Sequence, residues 1–373
     1  MRRIKYIIEF IKKETVLFIA AVLAVVSMIF VAPDAQYISY IDFSVIGILF
    51  CLMTVVAGLM EIGVFSFISG KLLNKSQNVK FLTVILVNCV FFSSMFFTND
   101  VALIAFVPMT IGIFGILGSE KLIFIIVMET AAANIGSMMT PIGNPQNLYI
   151  YSFYGMNIAD FLKIAAPAGI IGYVIIMGIM LFSKNRSIEI VFKQGSPALD
   201  KNILFLLYYT GLFILCILTV LHVLDYRICV AAVLFSIVIL NRKLLKKVDY
   251  GLLLTFVAFF IFAGNIERIG VVKTGISMFI TGRTYVLSVL SCQIISNVPA
   301  AMMISRFTHD VKNLLLGVDI GGLGTPVASL ASLISFKLYS KSKDAMPGKY
   351  LKVFTVYNIS VLAALSAAVL VLY

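Results

Sequence analysis

Apolar residues run along this chain in stretches of about 20, the length of an α-helix that crosses the roughly 30 Å hydrocarbon core of a bilayer. Polar residues gather between them. Crossing segments fall at 15–32, 42–70, 121–153, 161–183, 203–222, 226–241, 249–270, 311–340 and 350–372, with two shorter apolar pairs at 81–117 and 284–306. No stretch between them is long and polar enough to form a soluble domain. Backbone groups in lipid are satisfied only within helices or closed barrels, so the pattern predicts an all-α polytopic membrane protein. The two shorter pairs have arms too short for comfortable spans. Their polar tips are Thr98-Asn99-Asp100 and Ser296-Asn297-Val298-Pro299. Such pairs read as re-entrant helical hairpins. Two ordinary spans joined by a surface turn fit the same hydropathy, since Asn-Asp and Asn-x-Pro are ordinary turn residues.

Two of the crossing segments are interrupted. Residues 133–151 read "ANIGSMMTPIGNPQNLYIY", with two glycines, two prolines, three asparagines and a threonine inside an apolar span. A gapless alignment sets "ANIGSMMTP" at 133–141 against "VDIGGLGTP" at 318–326. Three more pairs keep the same order: 41–63 with 248–270, 96–106 with 294–304, and 160–168 with 349–357. The chain therefore reads as two copies of one unit. A lead-in precedes them at 1–14; repeat 1 is 15–183, a cytoplasmic loop and linker helix fill 184–225, and repeat 2 is 226–373. Five crossings separate the two starts, so the copies are expected to be inverted, as in many secondary transporters. Each Gly and Thr-Pro removes backbone hydrogen bonds, and open backbone at membrane depth survives where it lines a cavity or site. Residues 136–147 and 321–326 are thus expected to be unwound centres of discontinuous helices; a proline kink re-satisfied by its neighbours is the plainer alternative.

Composition settles the class and charge sets the orientation. The 373 residues are 61% hydrophobic and 12% charged, with a mean hydropathy of +1.07. The net charge of +12 might suggest nucleic acid, but its placement argues otherwise. With the N-terminus inside, twenty-two of the 29 lysines and arginines fall on the cytoplasmic side. Lys163, Arg227, Arg268, Lys273, Arg283, Arg306 and Lys312 remain for the outside. This is a positive-inside bias and requires no acidic partner. The opening "MRRIKYIIEFIKKE" is basic and amphipathic without a small-residue cleavage site, which reads as a retained cytoplasmic helix. The five cysteines are scattered singly, and His222 and His309 sit at helix ends without partner ligands. Neither a disulfide framework nor a metal site is indicated.

Acids inside membrane segments are scarce, and an acid at mid-bilayer costs on the order of 2.5–3.5 kcal/mol by insertion scales. Asp100 sits at the first hairpin tip. Asp319 precedes the second break, where the first copy has Asn134, and Asn297 stands where the first tip has Asp100. Each copy thus carries one Asp and one Asn at exchanged positions. Such acids can hold Na⁺ or carry a proton; a helix N-cap is the alternative for either. Glu61 and Glu267 follow related runs and read as interfacial structural charges, with Lys71 and Arg268 as nearby partners. Glu129 has no counterpart in the other copy and stays a third candidate.

"ANIGSMMTPIGNPQN" resembles the broken-helix signature of the ion transporter superfamily that contains arsenite permeases, divalent anion:sodium symporters, citrate carriers and one class of Na⁺/H⁺ antiporter. The tips "FTND" and "ISNVP" are similar to those of the arsenite permease branch. The likeness spans nearly the full chain. It implies hairpin-tip ligands at Asn99, Asp100, Ser296 and Asn297, and it places Thr140, Pro141, Asn144, Asn147, Thr325 and Pro326 in the two breaks. The residue reading itself adds Thr98 at the first tip and Asn134, Gly136, Asp319 and Gly321 at or beside the breaks to the candidate substrate- and ion-binding set. The Ser-Asn-Thr tips of the dicarboxylate symporters are absent, and "GNPQN" stands where "GDPPN" or "GTPPN" is common. These departures bear on the substrate and the coupling ion.

The expectation is a secondary transporter of a small inorganic or organic anion or oxyanion, coupled to H⁺ or Na⁺, with no cofactor and no metal beyond Na⁺ at Asp100 or Asp319. A Na⁺/H⁺ antiporter or a channel are the alternatives. No His-rich, Cys-paired or Ser/His/Asp set suggests an enzyme. Membrane lipid is an expected partner and nucleic acid is not; a homodimer is left open. The expected location is the bacterial inner membrane, N-terminus inside and C-terminus outside. A cysteine placed at Ser342 should then label only from the cytoplasmic side, and labelling only from outside would overturn the topology.

Overall fold

Acids at the ends of apolar runs start several of the helices. Asp42, Asp225, Asp249 and Asp310 each accept a backbone N–H of the following turn, which satisfies donors that a helix start leaves free. In the computed structural model residues 14–65, 67, 79–115, 118–182 and 203–372 are described. The helices are α1 (Thr15–Ser27), α2 (Phe43–Glu61), α3 (Val79–Phe97), α4 (Asn99–Phe114), α5 (Ser119–Ser137), α6 (Pro145–Phe153), α7 (Ile158–Phe182) and α8 (Ile203–Val220). They continue as α9 (Tyr226–Asn241), α10 (Tyr250–Arg268), α11 (Gly270–Ile280), α12 (Thr284–Ile295), α13 (Asn297–Ser305), α14 (Val311–Gly321), α15 (Leu330–Ser340) and α16 (Pro347–Leu372). One-turn and 3₁₀ pieces link some of them. The expected lead-in at 1–13, the basic loop at 184–201 and Lys71 lie outside the described residues. The all-α polytopic reading holds: seven helices, α2, α3, α7, α8, α9 with the 3₁₀ turn after it, α10 and α16, are long and apolar enough to cross a membrane.

Contacts pair the helices in a reciprocal way. Helix α1 packs on α10 while α9 packs on α2; α4 packs on α15 while α13 packs on α6. Within each half, the first hairpin arm lies against the first half of the broken helix, α3 on α5 and α12 on α14. These close approaches depend on glycine. A Cβ at Gly136 would strike the Phe91 carbonyl and the Ser94 hydroxyl, and one at Gly321 would meet Cys292 and the Val289 backbone. Both positions let a helix sit against its hairpin with backbone nearly touching backbone.

The elements differ from expectation in four places. The first break is narrower than 136–147, because α5 runs to Ser137 and α6 starts at Pro145; the second is longer than 321–326, because α15 starts only at Leu330. The first hairpin's leading arm α3 has 19 residues, the length of a full crossing rather than a short arm. Helix α11 was hidden in the loop before the second hairpin and turns by 108° into α12. Glu61 pairs with Lys247 at 2.7 Å, and Glu267 with Lys273 and Arg306, while Arg268 reaches Asp34. The acids thus have structural partners as expected, and Glu267 does not pair with the adjacent Arg268.

Gly136→Val should lower the thermal-unfolding midpoint of the detergent-purified protein, since overpacking a tight contact costs about 1–3 kcal/mol. Gly178→Val, with nothing within 4 Å of its added Cβ, should leave the midpoint unchanged. Equal midpoints in a thermal-shift assay would refute the close-packing role.

Candidate functional site

The two breaks and the two hairpin tips are held together by matching hydrogen bonds. At the first tip Thr98 has φ 72° and ψ 149°; at the second Ser296 has φ 75° and ψ 158°. This region of backbone space is nearly reserved for glycine and costs roughly 1–3 kcal/mol for other residues. The same strained turn occurs at both tips. It sends the next amide into the neighbouring break: Asn99 N donates to Gly143 O at 3.0 Å, and Asn297 N to Ala328 O at 2.9 Å. Each tip asparagine then folds its Oδ1 back onto the following amide, of Asp100 or Val298, at 3.0 Å.

The threonines of the breaks grip the leading hairpin arms. Thr140 Oγ1 donates to Met95 O, and Thr325 Oγ1 to Gln293 O at 3.3 Å. The carbonyls freed by unwinding are taken by amide side chains. Asn147 Nδ2 donates to the carbonyls of Ser137, Met138 and Thr140, and Gln293 Nε2 donates to those of Gly321 and Leu323. Gln293 Oε1 also accepts from Thr325 N at 2.9 Å. Asn147 is therefore a scaffold for the first break, and Gln293, which the sequence did not single out, plays that part in the second. Pro141 and Pro326 sit in the open turns beside them.

Side chains from both halves converge on the two exchanged positions. Asn134 Oδ1 accepts from Asn99 Nδ2 and Ser329 Oγ, both at 3.1 Å, and its Nδ2 reaches Ser332 Oγ at 3.4 Å. Asp319, 4% exposed, accepts at Oδ1 from Asn144 Nδ2 (3.2 Å) and Gln146 Nε2 (3.4 Å). Its Oδ2 is buried without a hydrogen-bond partner. Asn144 also caps α6 through Asn147 N and reaches Ser137 Oγ. Thus Asn99, Asn134, Asn144 and Asp319 form one interlocked cluster. Ser137, Gln146, Ser329 and Ser332 complete it; Gln146 and Ser137 lie inside the expected first break, while Ser329 and Ser332 are visible only in three dimensions. Asp100 stands apart: no hydrogen bond holds its carboxylate, and its Oδ1 is buried without a partner. The Asn297 amide faces Gly322 instead of Asp319.

Four helix N-termini meet here, those of α4 and α6 tied by Asn99 and Gly143 and those of α13 and α15 tied by Asn297 and Ala328. A helix start carries partial positive charge and free N–H groups. No lysine, arginine or histidine hydrogen-bonds to Asn134 or Asp319 among the described residues. Other features lie elsewhere. An apolar cleft of about 200 Å³ sits between α10, α11 and α13, lined by Phe262, Ile276 and Phe307 among others. His222 ends α8 and stacks on Tyr151. Cysteines that look isolated along the chain come together, with Cys216 and Cys229 sulfurs 3.8 Å apart.

A family profile described as citrate transporter matches residues 5–312. An uncharacterized transporter of Methanocaldococcus jannaschii is 33% identical over 308 residues, 80% of this chain and 81% of its own length. The inner membrane protein YbiR of Escherichia coli is 28% identical over 302 residues, 80% of each chain. The silicon efflux transporter LSI3 of Oryza sativa subsp. japonica is 32% identical over 163 residues, 44% of this chain and 33% of its own length. With paired breaks, paired strained tips and a profile that covers most of its length, this chain belongs to the citrate transporter family.

Proposed function

We propose that the protein is a secondary active carrier that moves a small anion or oxyanion across the membrane by alternating access, with H⁺ or Na⁺ coupling. The observation that carries this reading is the meeting of four helix N-termini around an amide- and hydroxyl-rich cluster with no cationic side chain. Free amides and positive helix ends suit one negative charge or a neutral hydroxide species. A di- or tricarboxylate would need more compensation than these dipoles offer, so the reading departs from citrate even though the family is described by it. The silicon efflux relative supports a small oxygen-rich solute. Asp319, with one oxygen unpartnered, and Asp100 at the strained tip are the groups that answer to the coupling cation. The reciprocal pairing of helices supports two inverted repeats, and the lysine and arginine distribution supports a cytoplasmic N-terminus and an outer C-terminus; a bacterial inner membrane is the proposed location.

Flux in proteoliposomes, measured for a panel of anions and neutral oxyacids under imposed pH and Na⁺ gradients, tests the reading. Saturable, gradient-driven accumulation of one of them is expected. Na⁺/H⁺ exchange without any such solute would make the protein an antiporter, and flux above a carrier's rate with no coupled countermovement would make it a channel.

Replacing Thr140-Pro141 or Thr325-Pro326 by Leu-Ala removes the grip on the hairpin arm and lets the helix close. Transport should be lost while membrane insertion and detergent extraction stay normal. A double variant that still transports would reduce that break to a kink.

Asp319→Asn and Asp100→Asn keep size and hydrogen-bonding reach but remove the charge. Equilibrium exchange should partly survive in each, while accumulation loses its dependence on the ion gradient; Glu61→Gln, at the Lys247 pair, should change neither. Gradient dependence like the wild type in both Asp variants would remove these carboxylates from the coupling.

A further inference from the structure

Glu129 lies in the middle of α5, is 0% exposed, and has no counterpart in the other half of the chain. Its Oε1 accepts a hydrogen bond from Thr110 Oγ1 of α4, and its Oε2 is buried with no partner. No lysine, arginine or histidine pairs with it among the described residues. The titratable groups close enough to feel its charge are Cys89 of α3 and Tyr350 of α16, and neither is basic. A carboxyl in such a place is costly in the charged form and is kept in membrane proteins mainly where it serves transport.

Polar side chains of α5 and α15 meet in two groups between it and the breaks. On α5 the next residue, Thr130, donates to Ser335 Oγ of α15 at 2.8 Å, and Ser335 meets Tyr350 OH at 3.1 Å. One turn further along the same face of α5, Asn134 meets Ser332 and Ser329 of α15. Thr130, Asn134 and Ser137 share one face of α5 by their spacing, and Ser329, Ser332 and Ser335 are its counterpart on α15. The second group reaches Asn99 of the first hairpin tip. Glu129 is the residue before Thr130, about 12 Å along the axis from Ser137 at 1.5 Å per residue, and its own hydrogen bond runs to α4.

Resting on the carrier reading above, we infer that Glu129 is the proton-loading carboxyl of the transport cycle. It takes a proton at its free oxygen and gives it up again within the cycle. The step is a proton transfer only: an O–H bond forms on Glu129 as one breaks in a water molecule, leaving hydroxide, and on release the Glu129 O–H bond breaks as the proton returns to water. Asp319 and Asp100 hold the cation at the site, while Glu129 supplies the proton from the half of α5 that begins at Ser119.

The test is Glu129→Gln in proteoliposomes beside the wild type, with Glu129→Asp as the conservative rescue. Glu129→Gln should lose pH-gradient-driven accumulation and flatten the pH profile of equilibrium exchange, while exchange at the optimum is kept; Glu129→Asp should restore a pH-dependent profile. In parallel, infrared difference spectra of the purified proteins across a pH change should show a protonated-carboxyl C=O band in the wild type that is missing in Glu129→Gln. A wild-type pH profile in Glu129→Gln, or an unchanged infrared titration, overturns the proposal. Absence of wild-type flux for every solute would overturn the carrier reading instead, and the infrared titration would still decide whether Glu129 exchanges a proton.

Discussion

A helix opened inside a membrane exposes carbonyls and amides that no lipid can satisfy, and each unpaired group costs several kcal/mol. The whole centre of this protein answers that constraint. The amide after each strained tip enters the adjacent break, at Gly143 O and Ala328 O. Each break threonine holds a hairpin carbonyl, and Asn147 and Gln293 take the carbonyls that unwinding frees. Because tip and break satisfy one another, neither can move far alone. The hairpin and broken helix of each half form one mechanical unit, braced by the glycine contacts at Gly136 and Gly321.

The chemistry of the site follows from how the two units meet. Their halves interlock across the molecule, α4 on α15 and α13 on α6, so residues of one copy complete the surroundings of the other. Ser329 and Ser332 reach Asn134, and Asn144 and Gln146 reach Asp319. The two exchanged positions differ in charge, since a neutral amide stands at Asn134 and a carboxyl at Asp319. Dipoles therefore supply the positive character and a single acid the negative in this interlocked region. That division is the basis of the proposed lightly charged solute moving with a cation.

Much of this was legible in the chain itself. Apolar lengths determined an all-α membrane bundle, because only closed backbone hydrogen bonding survives in lipid. The gapless match of "ANIGSMMTP" with "VDIGGLGTP" located both breaks, since Gly and Thr-Pro act locally on the backbone wherever they fall. The exchanged Asp and Asn were likewise visible from alignment alone. Tertiary structure decided what depends on partners distant in sequence. It extended the second break to Ser329 and made α3 a full-length helix. It made Asn147 a clamp on the carbonyls of the first break, set Asp100 apart from the cluster, and gave Glu61 a partner in Lys247. Gln293, Ser329 and Ser332 matter only because helices from different parts of the chain bring them within hydrogen-bond reach. Periodicity and local propensity carry no information about which helix faces which. Packing supplies it, and so the sequence determined where the backbone opens while only the packed bundle decided what fills the opening.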